Sequence, residues 1–275
     1  MLFKNSVWIY ALKCVLVALT VLAPGLAGAQ QASEKFPWPE GKKAALSLSF
    51  DDARPSQVQG GTAFLDRHDV KATFFVVPET VEQQLKGWKD AVANGHEIGN
   101  HTLTHPCSGN YLWSRHKALE NYSLAQIRKD IVDANKQIQR LLGITPVVFA
   151  YPCGQTFIGR GVDTKSYVPI IAELFLLGRT YRDKTANDPA FCDFAQLTGI
   201  DMDETTFENV LPVLESAKEN NQWVLLGGHE MGESGRQTTR FAMLEKLLAY
   251  ASDPANGIWI APVGTVANYI RAQRK

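Results

Sequence analysis

The sequence has no excess of charge of either sign: Lys plus Arg is 28 and Asp plus Glu is 28 in 275 residues. Without a dominant sign there is no field to hold a polyanion, so nucleic acid and anionic membrane surfaces are excluded as partners and a neutral one such as a sugar is favoured. Internal repeats and low-complexity blocks are absent too. With 45% hydrophobic and 20% charged residues, the composition is that of a globular chain and excludes disorder. The N-terminal apolar run, Cys14 to Leu26, has 13 residues behind Lys13, short of the about 20 that a spanning helix needs. Lys4 ahead of it and Ala27-Gly28-Ala29 behind it make 1–29 a cleavable signal peptide, so a secreted or periplasmic protein without stable membrane insertion is expected. Cysteine is scarce. Of the four, Cys14 leaves with the signal, and Cys107, Cys153 and Cys192 remain where disulfides form. One pair plus one thiol is expected, with three buried thiols as the alternative.

What is present is alternation. A polar stretch, 30–43, reads as a linker, and from 44 to 275 short apolar runs alternate with amphipathic segments. Strands are expected near Ala44 to Phe50, Ala72 to Val77, Glu97 to Asn100, Val147 to Tyr151, Gly178 to Tyr181, Gln196 to Ile200, Trp223 to Gly227 and Ile258 to Ala261. Ser123 and Gln126 have the spacing of a capping box opening a helix that Gly143 ends; further helices are expected at Phe207 to Asn220, Thr239 to Tyr250 and Thr265 to Ala272. Such alternation implies a mostly parallel sheet, open or closed into a barrel, with function at the C-terminal strand ends.

Reactive residues fall at those ends. Asp51 and Asp52 close the first strand, and two adjacent carboxylates in a pocket repel unless a cation or proton intervenes. Taken alone, the pair also fits a solvated loop or a helix N-cap. His101 and His105, four apart after the third strand, can bind one ion through neutral nitrogens, and two His with one carboxylate leave positions open for water and substrate. His229 follows the seventh strand. His68, His96 and His116 have no such partners and read as surface or capping residues.

Ser-Phe-Asp51-Asp52, His101-Thr-Leu-Thr-His105-Pro106, Tyr151-Pro152-Cys153-Gly154 and Val-Leu-Leu-Gly-Gly-His229, with Gly95 to Asn100 ahead of the histidine pair, resemble the successive motifs of the polysaccharide deacetylase family (NodB homology, carbohydrate esterase family 4). The resemblance spans about Ala44 to the C-terminus. It implies a single-domain, distorted (β/α)7 barrel that removes N- or O-linked acetyl groups from a carbohydrate by metal-activated water. In that scheme Asp52, His101 and His105 ligate a divalent ion, zinc first and cobalt or another first-row ion next, Asp51 is the base and His229 the acid. Backbone N–H groups in the Tyr151-Pro152-Cys153 turn are expected at the oxyanion. If the fold is right, Cys107 and Cys153 both lie near the metal and form the expected pair, though Cys192 can partner either.

Departures from the family pattern are plain. Ala150 stands where the family often has an Arg that steadies the base, which leaves Asp51 without an evident orienting group; Arg54 is the nearest candidate. Ala53 replaces a glycine, Cys153 an aromatic, and Gly227-Gly228 bulkier residues. Asp201 is a candidate to orient His229, and Arg179 and Arg182 fit either substrate contact or surface. The stretch from Pro106 to Tyr122 carries Tyr111, Trp113 and Tyr122, which either form a lip for sugar rings or pack the loop down. Two other functions share these residues: a sugar-binding protein that has lost catalysis, and a metal-dependent hydrolase of a non-sugar amide.

Overall fold

Strand β1 (Ala44–Asp51) sets the architecture through its period of two. Leu46, Leu48 and Phe50 face outward into a cluster shared with the surrounding helices. Ala45, Ser47, Ser49 and Asp51 face inward, so this strand carries a polar line up the middle of the molecule to its last residue. The computed structural model describes residues 35–274; the expected signal peptide lies outside them.

Parallel to β1 run β2 (Thr73–Val76), β3 (Glu97–Asn100), β4 (Val148–Ala150), β5 (Leu177–Arg179), β6 (Ile200–Asp201) and β7 (Trp223–Gly228), in the order β5-β4-β3-β2-β1-β7-β6. The ring closes at Leu197, just ahead of β6, which forms a parallel bridge with Arg179. It is distorted there, because β6 has only two residues, and β3 and β4 share a single register pair, Asn100 with Phe149. The expected (β/α)7 barrel is therefore present. Its expected sixth strand divides into the Leu197 bridge and β6.

β8 (Ile258–Ile260) pairs with the start of β1, at Ala44 to Leu46, on the edge that β2 occupies higher up at Ser49 to Asp51. The chain then enters α8 (Val263–Gln273), whose Val263, Val266, Ala267 and Ile270 close the barrel floor against Ala45, Phe75, Val148, Leu177, Trp223 and Leu225. Glu97 accepts hydrogen bonds from Thr73 Oγ1 (2.7 Å) and Gly264 N (2.9 Å), which fixes the N-terminus of α8 to the floor. Each fully buried large apolar side chain contributes about 1.5–3 kcal/mol, so the packed floor adds to stability and, among the described residues, closes this end of the barrel opposite the C-terminal mouth.

The outer helices are α1 (Thr62–Arg67), α2 (Pro78–Gln83), α3 (Leu85–Ala93), α4 (Leu124–Leu142), α5 (Val168–Leu174), α6 (Phe207–Glu219) and α7 (Phe241–Ser252). α4 opens with the expected capping box of Ser123 and Gln126 and ends at Gly143, whose φ of 75° suits glycine. α1, α2, α3 and α5 are not anticipated, because runs of six to nine residues have too few turns to display a helical period. The stretch read as a linker is corrected in part. Trp38 is buried against Trp259 and Tyr269, and its Nε1–H donates to Asn221 O at 3.3 Å. Indole and phenol rings define this contact, not the periodicity that marks a strand or helix. Among the described residues no helix is long and apolar enough to cross a membrane.

Candidate metal centre and active site

The loops at the mouth hold their reactive residues in unusual backbone. Asp52 and Ala53 (φ 73° and 56°), Thr102 and His105 (67° and 52°) and Cys153 (54°) all sit at positive φ without being glycine. Such conformations persist only where the surroundings over-determine them, and they concentrate at functional sites. For the histidine loop the surroundings are visible. Asn100 Oδ1 accepts from Thr102 N (2.7 Å), Thr102 Oγ1 from His105 N (2.9 Å), and Asp130 of α4 from Leu103 N (2.7 Å) and Thr104 Oγ1 (2.6 Å).

Asp52, His101 and His105 converge. Their ligand atoms all lie within 4.8 Å of one another, with Asp52 Oδ1 at 3.5 Å from His101 Nε2 and 3.2 Å from His105 Nε2. Ligand atoms about 2.1 Å from a tetrahedral ion stand about 3.4 Å apart, so these spacings suit a divalent first-row ion. Asp52 Oδ1 is buried without a hydrogen-bond partner, a costly state for a carboxylate oxygen that a cation would relieve. His101 Nδ1 lies 2.9 Å from Ala150 O, which places the hydrogen on Nδ1 and leaves the Nε2 lone pair to the site. Burial, followed by the neighbouring His105, pushes the His101 pKa down to about 4 against the attraction of Asp51 and Asp52, so it is a neutral imidazole at ordinary pH. Burial would raise the Asp52 pKa, but the surrounding imidazoles outweigh it and hold the carboxyl ionised. His105, Cys107 and Cys153 also cluster, but these cysteines are bonded to each other, their Cα atoms 6.0 Å apart, and offer no thiolate.

Asp51 and His229 flank this triad. Asp51 is 3% exposed, and its Oδ1 accepts from Arg179 Nη2 inside the barrel. Gln57, in a π-turn over Gln57–Gly61, donates to both Asp51 O (2.7 Å) and His229 O (2.8 Å), tying the ends of β1 and β7 together. His229 Nδ1 lies 2.7 Å from Asp203 Oδ2, and Asp203 Oδ1 also accepts from His229 N (3.1 Å) and Thr239 Oγ1 (2.8 Å). Nε2 is thereby turned toward the mouth, 4.0 Å from Asp52 Oδ2. Burial works against the charged imidazole, but Asp203, Asp51 and Asp52 outweigh it and raise the His229 pKa.

Several expectations change. Arg54 pairs with Asp52 Oδ2 (2.9 Å), not Asp51, because the left-handed turn at Asp52 and Ala53 carries its side chain to the outer oxygen. Asp203, not Asp201, holds His229: Asp201 still belongs to β6 and accepts from Tyr181 OH (2.7 Å), while the chain beyond the strand curls under His229. Tyr151 points out of the barrel, packed against Tyr167 with its OH donating to Ala195 O (2.8 Å), so of Tyr151, Pro152 and Cys153 only Cys153 lines the cleft. Cys192 is a free thiol. His68 meets Glu245, His96 is buried beside Asp66 and His116 is exposed, all away from the cleft. Arg179, expected at substrate or on the surface, is instead buried against Asp51, and Asp203 is the residue that sequence reasoning passes over. The glycines beside them are the only available signal. A Cβ on Gly228 would meet Thr239 Oγ1 at 2.2 Å and Asp203 Oδ1 at 2.9 Å.

The cleft has a volume of about 710 Å³ and extends from the triad to Tyr111 and Trp113. The loop bearing them is packed down by Ala118, Leu119 and Ser114, all buried, and is anchored by the disulfide. Tyr111 and Trp113 remain 39% and 51% exposed, their ring centres 5.7 Å apart and their planes tilted by 31°, with Trp113 5.9 Å from the His105 ring. Tyr122 is turned away, its OH 3.1 Å from Thr104 Oγ1.

Comparison with known proteins agrees with the geometry. The family model "Polysaccharide deacetylase" matches residues 39–162. A peptidoglycan-N-acetylglucosamine deacetylase, PgdA of Listeria monocytogenes, is 30% identical over 127 residues, 46% of this chain and 24% of that protein. The chain matches no more than 25% of the length of the first curated relatives. Among solved structures, a polysaccharide deacetylase described from Mycobacterium smegmatis superposes with a TM-score of 0.62 at 19% identity, over 87% of this chain and 94% of that one. The Puue allantoinase superposes with a TM-score of 0.65 at 15% identity, over 90% of this chain and 97% of that one, which is likeness of fold.

Proposed function

From a chain that resembles the polysaccharide deacetylases in sequence over residues 39–162 and shares their barrel, we propose that this protein is a metal-dependent hydrolase that removes N- or O-acetyl groups from a carbohydrate outside the cytoplasm. The observation that carries the reading is the convergence of Asp52, His101 and His105 between Asp51 and His229. Those three would hold the ion, with zinc favoured by two imidazoles and one carboxylate. A divalent ion there supplies Lewis acidity, making water acidic and polarising an acyl oxygen.

The protein's own groups do the rest. Asp51 takes a proton from the attacking water, and His229 gives one from Nε2 to the departing amine or alcohol while Asp203 retains the Nδ1–H. Asp203, Asp51 and Asp52 raise the His229 pKa, which favours the protonated form that this step needs. Secretion is supported by the sequence of 1–29 and by the disulfide, which persists in oxidising compartments.

The allantoinase fold likeness keeps a non-sugar amide in view. A carbohydrate is favoured because two exposed, neighbouring aromatic rings beside a metal ligand suit the apolar face of a pyranose, whereas a small cyclic amide needs no such shelf. The test is acetate release from chitooligosaccharides, acetylated xylan, peptidoglycan and small acetyl esters, with small cyclic amides alongside, by protein stripped of metal and reloaded with zinc or cobalt. Metal-dependent release from a glycan is expected. Release of product from the cyclic amides alone would replace the reading, and glycan binding without release would make the protein a lectin.

A further inference from the structure

Arg179 is 0% exposed, the last residue of β5, and points into the barrel. Its Nη2 donates to Asp51 Oδ1 and its Nη1 to Thr180 O (3.0 Å), while the guanidinium lies 5.0 Å from the ring centre of Phe75 and 5.7 Å from that of Tyr181. A buried guanidinium is expensive unless paired, and among the described residues Asp51 is the only carboxylate it meets. The rings on its flanks confine the plane of the fork, so the direction in which it presents Nη2 is fixed.

The space for this side chain is built in. A Cβ on Gly227 would stand 3.1 Å from Arg179 Nη1, and a Cβ on Gly199 2.9 and 3.0 Å from its Cδ and Cγ. Both glycines have ordinary backbone, so their smallness serves clearance and not a turn. On the other side, Ala150 is the register partner of Arg179 on β4 and presents only a methyl group at the same level of the barrel. Three small residues from three strand segments thus surround one large cation.

Resting on the deacetylase reading, we propose that Arg179 is the positioning residue of the base, holding Asp51 by Oδ1 so that Oδ2, which carries no protein hydrogen bond, is presented to the cleft. Ala150, Gly199 and Gly227 form a set with it: the arginine has its place on β5, and the neighbouring strand is emptied to receive it. The positioning charge is then set by its height in the barrel rather than by the strand that bears it. An arginine entering from position 150 at the same level can substitute for it.

The experiment compares wild type, Arg179→Ala, Arg179→Lys and the exchange variant Ala150→Arg/Arg179→Ala, each zinc-loaded. Acetate release, bound zinc and melting temperature are measured, with crystal structures of Arg179→Ala and the exchange variant. Arg179→Ala is expected to keep one zinc and a KM within threefold while kcat falls about 10²-fold, the scale of a mispositioned base. Asp51 should occupy more than one rotamer. The exchange variant should regain at least tenfold of kcat and a single Asp51 rotamer. A folded Arg179→Ala with kcat within threefold and Asp51 unmoved would overturn the proposal; if that variant does not fold, an Arg179→Lys enzyme with unimpaired kcat would do so. Wild type that binds zinc but releases no acetate from any substrate would sink the deacetylase reading alone, since the Asp51 rotamers in the crystals would still decide the role of Arg179.

Discussion

At the scale of single residues, the two carboxylates that end β1 differ by what reaches them. Asp51 meets a buried guanidinium, and Asp52 faces two imidazole nitrogens with an oxygen that no donor satisfies. Their exchange for neutral groups should therefore have different consequences. Asp52→Ala and His105→Ala are expected to lose bound zinc in metal analysis by plasma mass spectrometry. Asp51→Asn should keep the zinc and lose turnover by about 10²–10⁴-fold, the usual worth of a general base; loss of zinc from Asp51→Asn with retention in Asp52→Ala would reverse the two roles. His229 gives a pH prediction. In the proposed role it acts as an acid only while protonated, so activity should fall as pH rises through its pKa, and the raised value should carry activity to higher pH. Asp203→Asn removes a charge that favours the imidazolium, so the alkaline limb of kcat/KM should move to lower pH, read from a rate profile across pH 5 to 10.

At the scale of elements, the loop between β3 and α4 connects the candidate ligand His105 to the aromatic rings of Tyr111 and Trp113. The disulfide closes a separation of 46 residues, joining this loop to the turn after β4. Chain entropy for a loop of that size puts its contribution near about 4 kcal/mol. Cys107→Ser/Cys153→Ser is expected to unfold at lower denaturant and to raise KM for oligosaccharides more than it lowers kcat, because Tyr111 and Trp113 lose their anchor while the triad keeps its Asp130 tether. An unchanged KM would remove the shelf from substrate binding. On α4 itself, Ser123→Ala deletes a capping box and should cost about 1 kcal/mol, visible as a fall of about 2–4 °C in melting temperature for a domain of this size.

At the scale of the whole molecule, α8 seals the floor, and Asp51, Asp52, His101, His105 and His229 all lie around the opposite mouth. The proposed metal site would thereby be linked to folding: a ligand that recognises only the assembled mouth stabilises the fold by about 2.7 kcal/mol at 100 times its Kd. Chelation should lower the melting temperature and zinc should restore it, whereas the Asp52→Ala variant should not respond. The alternation of strands and helices, the capping box, the strand-end position of Asp51, Asp52, His101, His105 and His229, and the resemblance they carry are all legible in the sequence, because period, capping and strand termination are properties of neighbouring residues. The pairing of Cys107 with Cys153 was open between alternatives, and Arg179 and Asp203 were invisible as partners of Asp51 and His229. Asp51 and Arg179 are 128 residues apart, and they meet only because β1 and β5 face one barrel interior at the same height. Local chemistry therefore decided which residues could react. Closure of the ring, which fixes register between strands distant in sequence, decided which of them hold one another in place.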